Sequence, residues 1–350
     1  MSIEPYTRPR IAVLLASFQG EAYIEAQLDS ILAQTVPGIQ IIVSDDGSTD
    51  QTRRILERHQ RYYPEQIVLR HRDKDGEFKN REPFIPAPAM NFFWLMSQTD
   101  ADYVLLSDQD DVWDSRKVEK LLWMMREFEV PGLPALVYSD MEVVDAGLRE
   151  ISPSFFAYSH IDPDRYMFPK ILVENAVTGG ALMMNRSLLQ LARKVPRACF
   201  MHDWWIALCA SCFGHMICVR EPLSLYRQHQ DNVLGARATG SVRDLWQRSF
   251  RKRQVEDNYC RMFMQAAAFG EMHWKQMETY ERIVLKAFLS LPEKTPAQRL
   301  RTIGQHYFYK TSWLQTIAQC VTIPKDVKGH RKDLENTAKK EDMGRRRPCR

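Results

Sequence analysis

The chain has 350 residues, of which 45% are hydrophobic and 26% are charged, and its formal net charge is +4. This composition excludes a chain that is disordered throughout, and the length predicts one large or two modest domains. The small net charge hides a division: residues 1–235 carry 24 Lys and Arg against 32 Asp and Glu, whereas residues 236–350 carry 24 against 12. An acidic body followed by a basic region therefore has to be explained.

The apolar segments are too short for a membrane-spanning protein. One strongly apolar, uncharged segment, residues 204–219, has 16 residues, whereas a spanning helix needs about 20 mostly apolar residues. The apolar run at residues 11–16 is also too short for a signal peptide. Seven cysteines without a disulfide-like pattern favour a reducing cytoplasm, and Cys209 and Cys212 lack the second pair that a zinc site needs.

The first 125 residues alternate between predicted strands and helices. Strands are expected at residues 11–16, 39–43, 67–69 and 103–106. Helices follow the first two, and Ser48 with Gln51 forms a capping-box pattern at the start of the second. Such alternation predicts a parallel sheet covered by helices. Residues 71–90 predict a long loop, which is either a binding loop or a solvated excursion.

The remaining chain is predicted to change character near residue 236. Residues 136–226 mix short strands with helices, and a long helix after Ser241 is broken at Pro292 and Pro296. An amphipathic stretch follows, and the final 26 residues contain 15 charged ones, which predicts disorder. We therefore expect three parts, at residues 1–235, 236–324 and 325–350.

The first two acidic clusters follow the second and fourth predicted strands, where open α/β sheets bind ligands. We expect Asp45 to accept hydrogen bonds from a ribose or base, although a turn at Asp46 and a helix cap at Asp50 explain the other two acids of that cluster. Asp108 and Asp110 stand with Asp111, and such crowded carboxylates repel one another unless a cation is shared. Mg²⁺ or Mn²⁺ suits these oxygens, and a solvated acidic turn is the alternative.

A third acid, Asp203, opens the uncharged segment beside two tryptophans. A carboxyl group in such an apolar setting has a raised pKa, which brings it towards the range of a general base. A helix N-cap is the alternative interpretation, and the two roles are compatible.

Six motifs occur in order over residues 10–235, at Ala16–Glu21, Val43–Asp50, Leu106–Trp113, Thr178–Gly180, His202–Trp205 and Tyr226–His229. Each motif alone is weak, but their order and spacing resemble those of family 2 glycosyltransferases of the bacterial rhamnosyltransferase-like kind. The resemblance implies an α/β fold, with a GT-A type nucleotide-sugar-binding domain on a mostly parallel central sheet. It also implies that residues 1–235 are catalytic and that residues 236–324 are a helical C-terminal extension.

The resemblance also implies roles for individual positions. Asp203 is expected to be the general base. Asp108 and Asp110 are expected to form an Asp-x-Asp motif that holds Mg²⁺ or Mn²⁺ and the donor, and His229 either completes the metal site beside Asp110 or contacts the diphosphate. The positions expected to bind the donor are Ser17, Glu21, Asp45, Asp108, Asp110 and Arg227. The positions expected on the acceptor side are Gly179, Gly180 and Trp204.

On this resemblance, the protein moves a sugar from a dTDP- or UDP-sugar to a hydroxyl of a growing surface glycan, with inversion and with rhamnose as the family-level donor. A glycan or lipid-linked acceptor brings a cytoplasmic enzyme to the inner face of the cell membrane. The basic C-terminal helices then either rest on that surface, as a peripheral membrane contact, or cap the catalytic domain. The sequence contains no recognisable nucleic-acid-binding module.

Two other functions remain to be weighed. A sugar-nucleotide nucleotidyltransferase needs a glycine-rich, lysine-bearing loop after the first strand, and Ser17–Glu21 does not provide one. A non-catalytic carbohydrate-binding protein would not need all the acidic positions that are present.

Overall fold

The computed structural model describes residues 8–72, 84–229, 247–325 and 327, which form strands and helices around one mixed sheet. The strands are β1 (Ile11–Ser17), β2 (Ile39–Asp45), β3 (Ile67–Arg70), β4 (Tyr103–Ser107), β5 (Val112–Trp113), β6 (Ala135–Val144), β7 (Glu150–Ser152), β8 (Leu182–Asn185) and β9 (His215–Arg227). The helices are α1 (Ile24–Leu32), α2 (Thr52–Tyr62), α3 (Ala87–Ser97), α4 (Lys117–Phe128), α5 (Phe155–Tyr158), α6 (Phe168–Ile171), α7 (Arg186–Ala192), α8 (His202–Phe213), α9 (Gln247–His273), α10 (Thr279–Leu289), α11 (Pro296–His306) and α12 (Trp313–Thr322).

The strand order across the sheet is β3-β2-β1-β4-β8-β6-β9-β5, and β7 pairs with β6 at the side. The predicted parallel arrangement holds for β1 to β4. Beyond β4 the sheet is mixed, because β8 runs antiparallel to both β4 and β6, while β6 and β9 are parallel. The parallel half places the ends of the first strands at one edge.

Alternate residues of β1 face the two sides of the sheet, as strand geometry requires. Ile11, Val13 and Leu15 pack in a core that includes residues of α1, α2 and α4. Ala12 and Leu14 pack in a second core with α3 and α8. Each fully buried leucine contributes about 1.5–3 kcal/mol, and the result is a sheet with a helical layer on each face.

The expected capping box at the start of α2 is wrong. Ser48 donates its hydroxyl hydrogen to Asp45 and accepts a hydrogen bond from the Gln19 amide (2.8 Å), so it does not bind the helix terminus. The Thr52 amide donates instead to Asp50 Oδ1 (3.0 Å), which supports the predicted role of Asp50 as a cap at the start of the helix. The pattern was misleading because the loop from β1 supplies the competing partner.

The loop predicted at residues 71–90 is shorter than expected. Helix α3 already begins at Ala87, because Pro86 precedes it and Pro88 lies in its first turn, where the missing amide hydrogen costs nothing. Residues 73–83, in which the rest of that prediction falls, lie outside the described residues.

The C-terminal helices pack onto the body of the protein. The Phe269 ring of α9 lies 5.4 Å from Trp205 and 5.8 Å from Phe168, so α9 shares the core that contains α8. The first break comes at His273 and not at Pro292, because the chain turns there and restarts at Thr279. This packing favours the capping interpretation for α9. Residues 328–350, most of the predicted tail, lie outside the described residues.

Among the described helices, none combines the length and the apolar character that crossing a membrane requires.

Gly214, between α8 and β9, is predicted to be essential for the sheet. A Cβ there would lie 1.8 Å from the Pro134 carbonyl oxygen, the acceptor of the His215 amide where β6 and β9 begin to pair. We expect Gly214→Ala to lower the free energy of unfolding by about 3 kcal/mol, measured by urea denaturation.

The matched control is Gly304→Ala in α11, where the added Cβ has only ordinary contact with Tyr309. Alanine has the higher helix propensity, so this variant is expected to gain up to about 1 kcal/mol. Equal stability changes in the two variants would contradict the assignment.

Candidate active site

The sheet register brings the first two acidic clusters to one edge. Ser17 stands opposite Asp45 at the ends of β1 and β2. Leu15 of β1 stands opposite Ser107, so the loop that holds Asp108 leaves β4 from the same edge. This is the place where open α/β sheets form ligand crevices.

Asp45 lies half-buried with its carboxylate engaged in the turn that follows β2. It accepts hydrogen bonds from the amides of Gly47 (3.2 Å) and Ser48 (2.9 Å), from Ser17 Oγ (3.2 Å) and from Arg53 Nε (2.8 Å). Burial by itself would raise the pKa of Asp45, but these hydrogen bonds lower it. Asp45 therefore stays ionised, and Arg53, whose side chain is 55% exposed, is the partner that a ligand could most easily displace.

The loop after β1 is tied to its two neighbours. Glu21 accepts a hydrogen bond from the Gln51 amide (2.8 Å) at the start of α2. Phe18 and Gln109 exchange two hydrogen bonds of 2.8 Å each, which join this loop to the loop after β4. Gln109 was not predicted as a site residue, and its position between Asp108 and Asp110 is the signal that could have found it.

Asp108 and Asp111 lie beside Lys117, which is fully buried; Asp111 is buried with it, whereas Asp108 is partly exposed. Burial first, and then repulsion from neighbouring carboxylates, raises the pKa of both acids above the usual range. Burial also lowers the pKa of the Lys117 ammonium, which the two acids oppose. The charge of Lys117 therefore stabilises the ionised form of the two acids, and the acids stabilise the protonated lysine.

Lys117 was not predicted, yet it connects three parts of the site. Its ammonium donates to the Gly180 carbonyl oxygen (2.5 Å) and lies 4.0 Å above the Trp113 ring. The available signal was its position four residues before Leu121, which places a lysine on the apolar stripe of α4. A lysine on a buried stripe requires compensating charge, and Asp108 and Asp111 provide it.

Gly179 and Gly180 form a short 3₁₀ turn that passes close to these acids. A Cβ on Gly180 would lie 2.8 Å from Asp111 Oδ2, and one on Gly179 would lie 2.7 Å from His202 Nε2. The backbone at these two glycines therefore lies very close to side chains of the protein itself, Asp111 and His202. The turn allows the acid cluster and the start of α8 to meet.

Asp110 faces His229 near the end of β9, with 2.8 Å between Asp110 Oδ2 and His229 Nε2. Arg227 holds the same loop by donating from Nε to the Asp110 carbonyl oxygen (2.8 Å), and its guanidinium stacks on Tyr23. The expected donor-binding Arg227 thus contacts the acidic loop directly, and Tyr23 is a site residue that the sequence reasoning missed.

A divalent cation fits this donor set. Mg²⁺ and Mn²⁺ accept carboxylate oxygen, and Mn²⁺ also accepts imidazole nitrogen, as at Asp110 and His229. Within the part of the chain that the structure describes, no group of three or more His, Cys, Asp or Glu side chains is arranged to hold a metal. A metal here would therefore depend on a phosphate-bearing ligand for its remaining positions.

Asp203 lies in the first turn of α8, with Met201 and not Asp203 at the N-cap. Its carboxylate accepts hydrogen bonds from the amides of Gly179 (3.3 Å) and Trp204 (2.5 Å), and from Asn175 Nδ2 (3.2 Å). Burial raises the pKa of Asp203 to about 6, against the lowering effect of these amides. The direction agrees with the low-dielectric setting predicted from the sequence.

The residues on either side of Asp203 are buried as well. The Trp204 indole donates to the Ile171 carbonyl oxygen (2.6 Å), so its polar atom is already engaged. His202 stacks on Phe92, and neither of its ring nitrogens has a hydrogen-bond partner among the described residues. Burial lowers the pKa of His202 to about 3, so this ring is neutral at physiological pH.

Comparison with known proteins shows the family of the chain. The family model described as "Glycosyl transferase family 2" matches residues 12–190. The dTDP-rhamnosyl transferase RfbG of Shigella flexneri is 28% identical over 260 residues, which cover 67% of this chain and 81% of that protein. The chain spans half to two thirds of the length of several other curated relatives it matches.

Solved structures share the fold at low sequence identity. TarS of S. aureus, residues 1–349 in complex with UDP-GlcNAc, has a TM-score of 0.54 at 15% identity, covering 95% of this chain and 92% of that TarS fragment. The mannosyltransferase PcManGT from Pyrobaculum calidifontis, in complex with GDP-Man and Mn²⁺, has a TM-score of 0.52 at 16% identity, with coverages of 98% and 90%. The expected GT-A type α/β fold with C-terminal helices is therefore confirmed.

Replacing Lys117 is predicted to expose the repulsion within the site. In Lys117→Met, Asp108 and Asp111 lose their buried counter-charge, so we expect a loss of about 3 kcal/mol in the free energy of unfolding at pH 8. The loss should shrink at pH 6, because protonation of the two acids relieves the repulsion. Urea denaturation at the two pH values measures both effects.

Lys120→Met on the same helix removes the surface pair with Glu221 and is the control, with an expected change within about 1 kcal/mol. A loss in Lys117→Met that is no larger, or that does not depend on pH, would refute the counter-charge role.

Proposed function

Because the chain belongs to glycosyl transferase family 2, we propose that it is a metal-dependent, inverting glycosyltransferase that uses a nucleoside-diphosphate sugar. The observation that carries this proposal is the meeting of Asp203 with the acidic edge of the sheet. Gly179 binds Asp203, and the adjacent Gly180 contacts Asp111 and is held by Lys117. A buried base and a cation-binding acidic edge thus stand on the two sides of one glycine turn.

The proposed donor site is the strand edge. Ser17, Glu21 and Asp45 surround the nucleoside, and Asp45 accepts hydrogen bonds from the ribose or base in place of Arg53. Asp108 and Arg227 complete the donor side near the diphosphate. The support is that these residues either lie on adjoining strand ends or hold the loops that begin there.

We propose that Asp110 and His229 hold Mg²⁺ or Mn²⁺. Bound there, the ion neutralises charge on the departing diphosphate and so makes it a better leaving group. Arg227 fixes the position of Asp110 through the loop backbone.

Asp203 is the proposed general base. Its carboxylate takes the proton of the acceptor hydroxyl, whose oxygen forms a bond to the anomeric carbon as the bond from that carbon to the diphosphate oxygen breaks. Attack from the face opposite the leaving group inverts the configuration, and no covalent enzyme intermediate forms. A pKa of about 6 leaves Asp203 ionised near neutral pH while keeping it more basic than an exposed aspartate.

Rhamnose from dTDP-rhamnose is the proposed donor sugar, because the similarity to the rhamnosyl transferase extends over two thirds of the chain. UDP-sugars are the alternative. The proposed acceptor is a hydroxyl of a growing surface glycan on a lipid carrier, with Gly179, Gly180 and Trp204 on the acceptor side. We further propose that residues 1–235 are the catalytic unit and that it works in the cytoplasm, where free thiols such as Cys209 stay reduced.

The proposal is tested by measuring hydrolysis and transfer with a panel of dTDP-, UDP- and GDP-sugars, with Mn²⁺, with Mg²⁺ and with chelator. We expect metal-dependent turnover and strongest binding of dTDP-rhamnose. Asp110→Ala should abolish metal-dependent nucleotide binding, measured by calorimetry, because it removes a proposed metal ligand.

Asp100→Ala, an exposed acid ahead of β4 that pairs with Arg193 at the opposite end of that strand, is the control and should bind like the wild type. Release of pyrophosphate from a nucleoside triphosphate plus a sugar phosphate would identify a nucleotidyltransferase instead. No turnover of any donor, with carbohydrate binding retained, would favour a non-catalytic protein.

Asp203→Asn is predicted to lower the transfer rate by about 10³-fold, because the amide cannot accept the acceptor proton. Nucleotide affinity should remain within about twofold of the wild-type value, since Asp203 lies on the far side of the glycine turn. Steady-state kinetics and nucleotide calorimetry separate the two effects.

The pH profile provides the control. The wild-type rate should fall as the pH drops through about 6, where Asp203 becomes protonated, and Asp164→Asn, which alters a surface pair with Arg220, should keep both rate and profile. Full activity of Asp203→Asn, or an equal loss of nucleotide binding, would refute the assignment.

A further inference from the structure

Helix α12 is turned with its polar residues inward and its apolar residues outward. Thr316 and Gln319 are buried, at 7% and 0% exposure. The exposed side chains on the other side are apolar and large: Trp313 (69%), Leu314 (61%), Ile317 (53%) and Val321 (70%). Their spacing places them on one face of the helix, so α12 shows solvent the side that a surface helix usually buries.

Specific hydrogen bonds hold α12 in this orientation. Gln319 donates from Nε2 to the Phe308 carbonyl oxygen (2.8 Å). The buried Arg299 of α11 donates from Nη1 to the carbonyl oxygens of Cys320 (3.0 Å) and Ile323 (2.8 Å) at the end of α12. Rotating the helix to bury Ile317 and Val321 would break the hydrogen bond of Gln319 to the Phe308 carbonyl oxygen. The outward apolar face is therefore a property of the fold.

The chain on either side of α12 is basic overall. Residues 296–325 contain four Lys or Arg and no Asp or Glu, and α12 itself has no charged residue. The next residues, 328–350, carry nine Lys and Arg against four Asp and Glu, a net charge of +5. An uncharged apolar face with basic residues on either side is complementary to a lipid surface, which has an apolar interior and anionic headgroups.

We propose that α12 docks on an anionic lipid bilayer, lying in the plane of the surface with Trp313, Leu314, Ile317 and Val321 among the acyl chains. The exposed basic residues Arg301 and Lys325, on either side of α12, then contact lipid phosphates, and Trp313 lies at the depth that tryptophan prefers at membrane interfaces. The proposal deepens the proposed function and rests on it for its purpose, because a lipid-linked acceptor is presented at such a surface.

The segment before α12 connects this surface to the acceptor side of the site. Thr311, just ahead of α12, donates from its amide and its hydroxyl to Glu174 Oε2 (2.8 Å each). The next residue, Asn175, donates to Asp203 Oδ1 (3.2 Å). Glu174 thus contacts the segment before α12, and the adjacent Asn175 contacts Asp203, the proposed base. A bilayer bound at α12 therefore lies on the side of the protein where the acceptor is needed.

The test is co-sedimentation of the full chain with phosphatidylcholine vesicles that contain, or lack, about 30% phosphatidylglycerol. We expect the wild type to bind the anionic vesicles, and Ile317→Glu to weaken that binding about tenfold or more, because a charge then enters the acyl region. Gln315→Glu places the same charge on an exposed flank of α12 outside the apolar face and should bind nearly as the wild type does.

Equal binding by the two variants would overturn the proposal, since the basic C-terminal residues alone would then explain attachment. Absence of wild-type binding would also overturn it. A wild-type dimer that Ile317→Glu converts to a monomer, with no vesicle binding, would assign the face to a second copy of the chain.

Transfer to a water-soluble acceptor separates this proposal from the proposed function. Ile317→Glu should retain that activity, because Ile317 lies outside the catalytic machinery. Activity without vesicle binding in the wild type would refute only the membrane proposal. Vesicle binding that depends on Ile317, without any transfer, would refute only the proposed function.

Discussion

The site depends on the balance between two carboxylates, one buried and one partly exposed, and one buried ammonium. Asp108 and Asp111 leave β4 into a space with little water, and Lys117 of α4 supplies the opposing charge. The same ammonium holds the Gly180 carbonyl, so neutralising the acids also fixes the turn that meets α8. The acids at this edge can therefore pack closely without a bound cation, because Lys117 opposes their charge.

This balance joins parts of the chain that are far apart in sequence. The family model ends at residue 190, yet Asp203, Arg227 and His229 all follow it. They reach the edge because β8 enters the sheet antiparallel beside β4 and because β9 returns parallel to β6. The proposed nucleotide side of the site thus lies at the ends of the parallel strands β1, β2 and β4. The proposed base comes from α8, which follows the antiparallel strand β8. The proposed site needs both halves of the sheet.

Local patterns predicted the parallel half well. The apolar runs of β1, β2 and β4 and the stripe of α1 are continuous in sequence, so their elements appear close to where they were expected, and the acids after β2 and β4 meet at one edge. Features that depend on distant partners were not predictable in this way. Ser48 was mistaken for a cap because Gln19 competes for it, and Lys117 was missed because its counter-charges come from another element. The end of α9 at His273 is not followed by a proline or glycine, and Gly270 lies inside the helix, so the sequence gives no clear stop signal there.

Two adjacent residues make contacts on different sides. Glu174 binds the segment before α12, and Asn175 binds the carboxylate of Asp203. A substitution in the C-terminal helices can therefore move Asp203, the proposed base, while the ends of β1, β2 and β4 keep their positions. On the proposed function, variation in the last helices would then change the choice of acceptor and leave the choice of donor unchanged.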